Sequence, residues 1–200
     1  MTSVFTRHHL DQLVGTVSDS WRAGADRDWS VRAGTLEWSC RQAADHAVDC
    51  TVAPAFFLAS RKTDSFPDMG QWAFTVGPEA TPAQLIQALE VAGRVLAAVV
   101  ADAPPSTKAV IRRRPTVQSA PAADFLPRGA LELILHAHDV CSGLAVPFEP
   151  SAELCTALIA HTADWPWGRA APGWRKPVPT SDPWGELLSA SGRSRYVSHY

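Results

Sequence analysis

Apolar positions recur at helical spacing along most of the chain. Between about Thr6 and Arg22, Leu10, Leu13, Val14, Val17 and Trp21 share one face, and Gly24 with the polar run Ala25-Asp26-Arg27-Asp28 closes the segment. A second helix is expected from Ser39, whose hydroxyl can cap the free amides behind it. It runs through Ala43, Ala44, His46, Ala47, Val48 and Cys50 to about Ala59. Pro54 lies inside it, removes one backbone hydrogen bond and should kink it. A long connection from Arg61 to Ala80 holds Pro67, Gly70, Gly77 and Pro78. Thr81-Pro82 then supplies a cap and a first-turn proline. Leu85, Ile86, Leu89, Val91, Val95, Leu96 and Val99 give that third helix its apolar face as far as Asp102. Pro104-Pro105 stops it, and Thr107 to Val117 reads as a short strand or irregular chain. A fourth helix is expected from about Ala122 through Leu131, Leu133, Ile134, Leu135 and Val140, with Gly143 as its C-cap. Pro150-Ser151 opens a fifth that ends near Ala163.

Beyond Asp164 the pattern breaks. Pro166, Pro172, Pro177, Pro179 and Pro183 alternate with Trp165, Trp167, Trp174 and Trp184, and so many tryptophans argue against a disordered tail. This stretch is expected to form an irregular arm packed on the helices, with one short helix near Trp184 to Ser191. The expected architecture is all-α: a four-helix bundle with an additional helix over residues 1–164, and a Trp/Pro-rich C-terminal arm over 165–200.

Composition narrows the class. Two hundred residues, 46% hydrophobic and 19% charged, suffice for one substantial core. With 18 basic and 20 acidic residues the formal charge is -2, which gives no sign of a nucleic-acid or membrane-surface partner. No stretch approaches the roughly 18 uninterrupted apolar residues of a membrane span. The N-terminal MTSVFTRHHLDQ lacks the apolar core of a signal peptide, so a cytoplasmic protein is expected. Cys40, Cys50, Cys141 and Cys155 are widely spaced, contain no C-x-x-C pair, and read as small buried residues on helices rather than disulfides.

Candidate chemistry centres on the fourth helix. Glu132 and His136 are one turn apart and project from one face, where a carboxylate oxygen and an imidazole nitrogen can meet one divalent cation. The plainer alternative is a hydrogen-bonded Glu–His pair. The surrounding Leu131, Leu133, Ile134 and Leu135 put the pair in or near the core, where unpartnered charge is costly. His46, on a similarly apolar helix, can supply a third ligand across the bundle and leave a fourth position open, as a catalytic zinc site requires. Asp139 shares the face of His136 and can orient it. Asp49 and Cys50 follow His46 by three and four residues, and either can join the site. The plainer reading makes Asp49 a supporting partner and Cys50 a packed side chain. His138 points away from His136, while His8, His9, His161 and His199 are expected at the surface. Arg112-Arg113-Arg114 reads as a solvated loop or as an anion clamp at a pocket mouth. No Gly-rich phosphate loop or nucleophile elbow is present.

These residues carry a resemblance. His46 in a Trp-Ser-x6-His setting from Trp38, followed by Glu132-x3-His136-x-His138-Asp139, resembles the DinB-like superfamily, and within it the mycothiol-dependent maleylpyruvate isomerase family of actinobacteria. The ending Asp182-Pro183-Trp184-Gly185-Glu186-Leu187-Leu188-x-x-Ser191-Gly192-Arg193 is similar to those of related single-domain members. The likeness spans about Leu10 to Arg193. It implies a four-helix bundle with a divalent metal, usually zinc, held by His46, Glu132 and His136, and mycothiol as a low-molecular-weight thiol co-substrate. A counterpart of the separate C-terminal domain of the isomerase proper is not expected in this sequence. The activity expected is metal activation of the thiol, whose thiolate attacks an electrophilic small molecule in S-transfer or thiol-assisted isomerisation. A thiol-independent hydrolase or cyclase, or a non-catalytic binding protein, are the alternatives, and a homodimer is compatible with any of the three.

Overall fold

The computed structural model describes residues 4–65, 74–112, 116–165 and 174–195. Among them are helices α1 (Arg7–Ala23), α2 (Cys40–Ser60), α3 (Pro82–Asp102), α4 (Phe125–Leu144), α5 (Ala152–His161) and α6 (Pro183–Ala190). Strands β1 (Lys108–Arg112) and β2 (Gln118–Pro121) form one small antiparallel sheet, and a 3-10 turn (Ala122–Asp124) leads into α4. The fold is therefore mainly helical. Of the residues named in the sequence, Pro67, Gly70, Arg113, Arg114, Pro166, Trp167, Pro172 and His199 lie outside the described ones.

The helix starts are built as the caps require. Ser39 Oγ accepts from Gln42 N at 3.2 Å while Gln42 Oε1 accepts from Ser39 N at 2.9 Å. Thr81 and Gln84 repeat this reciprocal box at the head of α3. Each such cap contributes about 1 kcal/mol by satisfying amides that the helix cannot reach. At the head of α1 the partner is His9, whose Nδ1 accepts from Thr6 N at 3.0 Å. His9 is buried, contrary to its expected surface position, because the cap turns its ring onto Phe5 at 5.2 Å.

Packing follows the apolar stripes, with α2 lying against α3 and α4, and α1 against the same two helices. Much of the buried α2 face is small: Cys40, Ala43, Ala44, Ala47, Thr51 and Ala55 are buried beside the larger Val48, Val52 and Leu58. Small side chains let the α2 and α4 backbones approach closely, which brings their polar residues within reach of each other. On α3 the buried stripe is Leu85, Ile86, Leu89, Ala92, Gly93, Leu96 and Ala97, so Val91 falls off the stripe and is exposed. The apolar face expected there is thus shifted toward its alanines. By length and composition α3 could cross a membrane, with mean hydropathy 1.5 over its most apolar window, and 39% of that window is buried in the protein. The β hairpin pairs Lys108 with Pro121 and Ala109 with Ala120. It is anchored beside α2 by Val110 N donating to Lys62 O at 2.8 Å.

Gly143 does not cap α4, as its sequence position suggested. The helix continues to Leu144, and Ala145 takes the left-handed cap conformation at φ 53°. Gly143 is needed for contact instead: a Cβ there would come within 2.4 Å of both Arg32 O and Cys40 Sγ. One turn earlier, Gly34 at φ 53° lies against the Asp139 backbone, where a Cβ would sit 3.5 Å from it. The loop before α2 is thereby pressed onto α4 at two successive turns. The arm is partly in view: α6 packs on α5, and buried Trp184 stacks edge-on against Phe148 and His138.

Candidate metal centre

The close approach of α2 and α4 brings His46 and His136 together. Their rings meet edge to face with centroids 4.9 Å apart. Trp38, on the loop pinned by Gly34 and Gly143, packs on both, at 4.8 Å from His46 and 6.1 Å from His136. That loop is fixed by Ala33 N donating to Trp38 O and Cys40 N donating to Val31 O. Trp38 remains 40% exposed, so it lies between the two histidines and solvent.

On α4, the expected turn-to-turn spacing places Glu132 Oε2 3.8 Å from His136 Nε2. The other oxygen of Glu132 accepts from Arg128 Nη1 at 2.5 Å, one turn earlier on the same face. Burial pushes the Glu132 carboxyl up, but the Arg128 charge and then His136 outweigh it and hold it below the usual carboxylate range. His46 is shifted down by burial and by the neighbouring His136, so its imidazole is neutral near pH 7. An ionised carboxylate and a neutral imidazole are the forms in which these groups bind metal.

Behind His136 lies a second layer. Its Nδ1 is buried without an aligned hydrogen bond among the described residues, and 3.4 Å away is Asp139 Oδ2. Asp139, only 2% exposed, is gripped by Arg193 Nε at 2.9 Å and Nη2 at 2.7 Å. Burial pushes the Asp139 carboxyl up, and contact with His136 and Arg193 outweighs it, so the group stays ionised. With an anion behind Nδ1, the imidazole favours a proton there and leaves Nε2 free on the Glu132 side. Asp139 thus lies directly behind the His136 imidazole, on the face that its sequence spacing assigns. Its grip by Arg193 joins residues 54 positions apart, a pairing that no local sequence pattern marks.

Among the described residues one group meets metal-ligand spacing outright, and it differs from the expected set. His46, Asp49 and Cys50 each bring a ligand atom within 4.8 Å of the other two. Cys50 Sγ lies 3.3 Å from His46 Nε2. Asp49 Oδ1 accepts from Phe74 N at 2.7 Å, so one oxygen holds the later part of the long connection against α2 and the other is uncommitted by that bond. Cys50 is half-buried rather than fully packed, and burial, with Glu132, pushes its thiol up. It is therefore a neutral thiol unless a cation binds it. The other three cysteines are buried and free, with Cys40 pushed up to about 11 and Cys141 and Cys155 to about 12 by burial.

The remaining candidates separate. His138 turns away from His136, packs on Trp184, and its Nε2 lies 3.0 Å from Ser194 O. His161 is paired with Asp124 at 3.0 Å and is half-buried rather than on the open surface, because the 3-10 turn lies across the end of α5. Arg112 ends β1 with its Nη1 buried and unpartnered among the described residues. Burial and the Arg128 charge lower its pKa, while Glu132 opposes them, so the basic run contributes one guanidinium close to this centre. Comparison with protein-family models, with curated proteins and with solved structures finds no match to this chain.

Proposed function

We propose that the chain is a DinB-like four-helix-bundle enzyme that uses a divalent metal, zinc by donor preference, and a low-molecular-weight thiol such as mycothiol as co-substrate. The observation that supports this most is the convergence of His46 and His136 at 4.9 Å with the Glu132 carboxylate 3.8 Å from His136 Nε2. Two nitrogens and an oxygen from facing helices form the donor set of a site that keeps a position for an exogenous ligand. A metal held there would supply the charge that turns a small thiol into its thiolate near neutral pH.

The chain's own residues do the rest. Arg128 fixes one oxygen of Glu132 and leaves the other toward His136. Asp139, held by Arg193, orients the imidazole of His136. Trp38 shields the histidines on the solvent side, which strengthens the electrostatics beneath it. The thiolate sulfur forms a bond to an electrophilic carbon as either a π bond at that carbon opens, its electron pair taking a proton from solvent, or a leaving group departs with its electron pair; the thiol's own proton passes to solvent. The product is a conjugate, or an adduct that rotates and expels the thiol again.

The test is thiol consumption with a panel of electrophiles, for wild type and His136→Ala. Thiol-dependent turnover that His136→Ala loses with its helical content intact is the expected result. Equal turnover in the variant, or turnover in thiol-free buffer, would remove the thiol mechanism.

A further inference from the structure

The strongest unexplained feature beside this centre is the second donor cluster on α2. Spacing of three and four residues stacks Asp49 and Cys50 over His46 on one helix face, and their ligand atoms converge within 4.8 Å. Distances discriminate between the possible donor pairs. Around a tetrahedral ion, a nitrogen at about 2.05 Å and a thiolate sulfur at about 2.3 Å are about 3.6 Å apart, and a nitrogen–oxygen pair is about 3.3 Å apart. His46 Nε2 and Cys50 Sγ are 3.3 Å apart. The pair picked out by sequence spacing, His136 Nε2 and Glu132 Oε2, is wider, at 3.8 Å. The cysteine therefore meets the coordination distance at least as well as the carboxylate does. Glu132 is also among the charges acting on Cys50, which places the two clusters in one neighbourhood.

We propose that Cys50 is a protein ligand of the divalent metal at His46, its sulfur binding beside the His46 imidazole. The inference rests on the metal reading of the site given above. On binding, the Cys50 S–H bond breaks, a metal–sulfur bond forms and the proton goes to buffer. A thiolate in the donor set makes the site selective for zinc, cobalt and cadmium over magnesium, calcium and manganese, which favour oxygen. A small thiol entering this site meets a centre already bearing one sulfur, so it must add to, or displace, Cys50.

The experiment is a titration of the metal-free full-length chain with cobalt(II) under anaerobic, reducing conditions. Its readouts are bound cobalt per chain and the near-ultraviolet absorption that sulfur–cobalt charge transfer produces. The expected result is one tightly bound cobalt with that band. Cys50→Ser should lose the band and bind cobalt roughly tenfold or more weakly, the scale that loss of even an outer partner costs. Cys141→Ser should retain the band. A wild-type measurement avoids any folding defect in the variants: zinc should protect Cys50 from iodoacetamide, as mapped by mass spectrometry. Cobalt bound with no charge-transfer band, an unchanged band in Cys50→Ser, or no zinc protection would overturn the cysteine ligand and leave the histidine–glutamate site standing. No cobalt bound at all would overturn both.

Discussion

Replacing Arg193 by Gln tests how the arm reaches the site. Arg193 donates two hydrogen bonds to Asp139 at 2.9 and 2.7 Å, and its side chain is 11% exposed against 2% for Asp139. Removing one member of a buried pair strands the other charge, which costs about 3 kcal/mol or more. For a chain of this size that corresponds to a fall of about 6–12 °C in Tm. The assay is urea unfolding followed by tryptophan fluorescence on wild type, Arg193→Gln, Asp139→Asn and the double variant. Because the two groups act on each other, the double variant should lose less than the sum of the single losses, by about 1 kcal/mol or more. Arg193→Gln within about 0.5 kcal/mol of wild type, or strict additivity, would refute the coupling. The same variant should also weaken metal binding, since Asp139 without its clamp no longer fixes His136.

Two further outcomes follow from packing and charge. Gly143→Ala should destabilise by about 1–3 kcal/mol through overpacking against Arg32 O and Cys40 Sγ, more than its helix-propensity gain of about 1 kcal/mol returns. Gly15→Ala on α1 meets nothing within 4 Å and should be stabilising, so equal urea midpoints for the two variants would contradict the contact argument. Glu186 accepts from Arg175 at 2.6 Å and from Val178 N at 3.0 Å. The Arg175 hydrogen bond foremost holds its carboxyl below the usual range, against the effect of burial. A depressed folded pKa stabilises above the unfolded value near 4.5 and loses that effect as pH falls through the folded one. Glu186→Gln should therefore cost more stability at pH 7 than at pH 3 in parallel urea melts, and a pH-independent difference would contradict this.

Much of the architecture was legible because helices declare themselves through caps and period. The Ser39 cap and Thr81-Pro82 mark two helix starts to the residue, and the apolar stripe of α1 reads through to Trp21, whereas the reciprocal contacts of Gln42 and Gln84 appear only in the structure. Gly143 reads as a cap in the sequence because a helix end and close contact inside a helix both call for glycine, and only the position of Arg32 distinguishes them. His9 and His161 were placed at the surface because their partners, Thr6 and Asp124, are backbone or turn groups that carry no periodic signal. At the site, Glu132 and His136 were visible from spacing, and Arg128 lay one further turn back on the same face. The pairing of His46 with His136 depends on how α2 lies on α4. The Arg193 clamp crosses 54 residues, which no local pattern encodes. Cys50 was visible at four residues from His46, yet its half-burial, which separates a ligand from a packed side chain, appears only in three dimensions.

The most direct test of the site is metal content per chain, by mass spectrometry, on protein purified without tag-derived metal or chelator, for wild type beside His136→Ala. Near-stoichiometric metal in wild type and its loss in the variant is the expected result, because His136 shares its ring contact with His46 and faces Glu132. A metal-free wild type, even after zinc is offered, would make Glu132 and His136 an ordinary half-buried Glu–His pair and contradict the proposed chemistry.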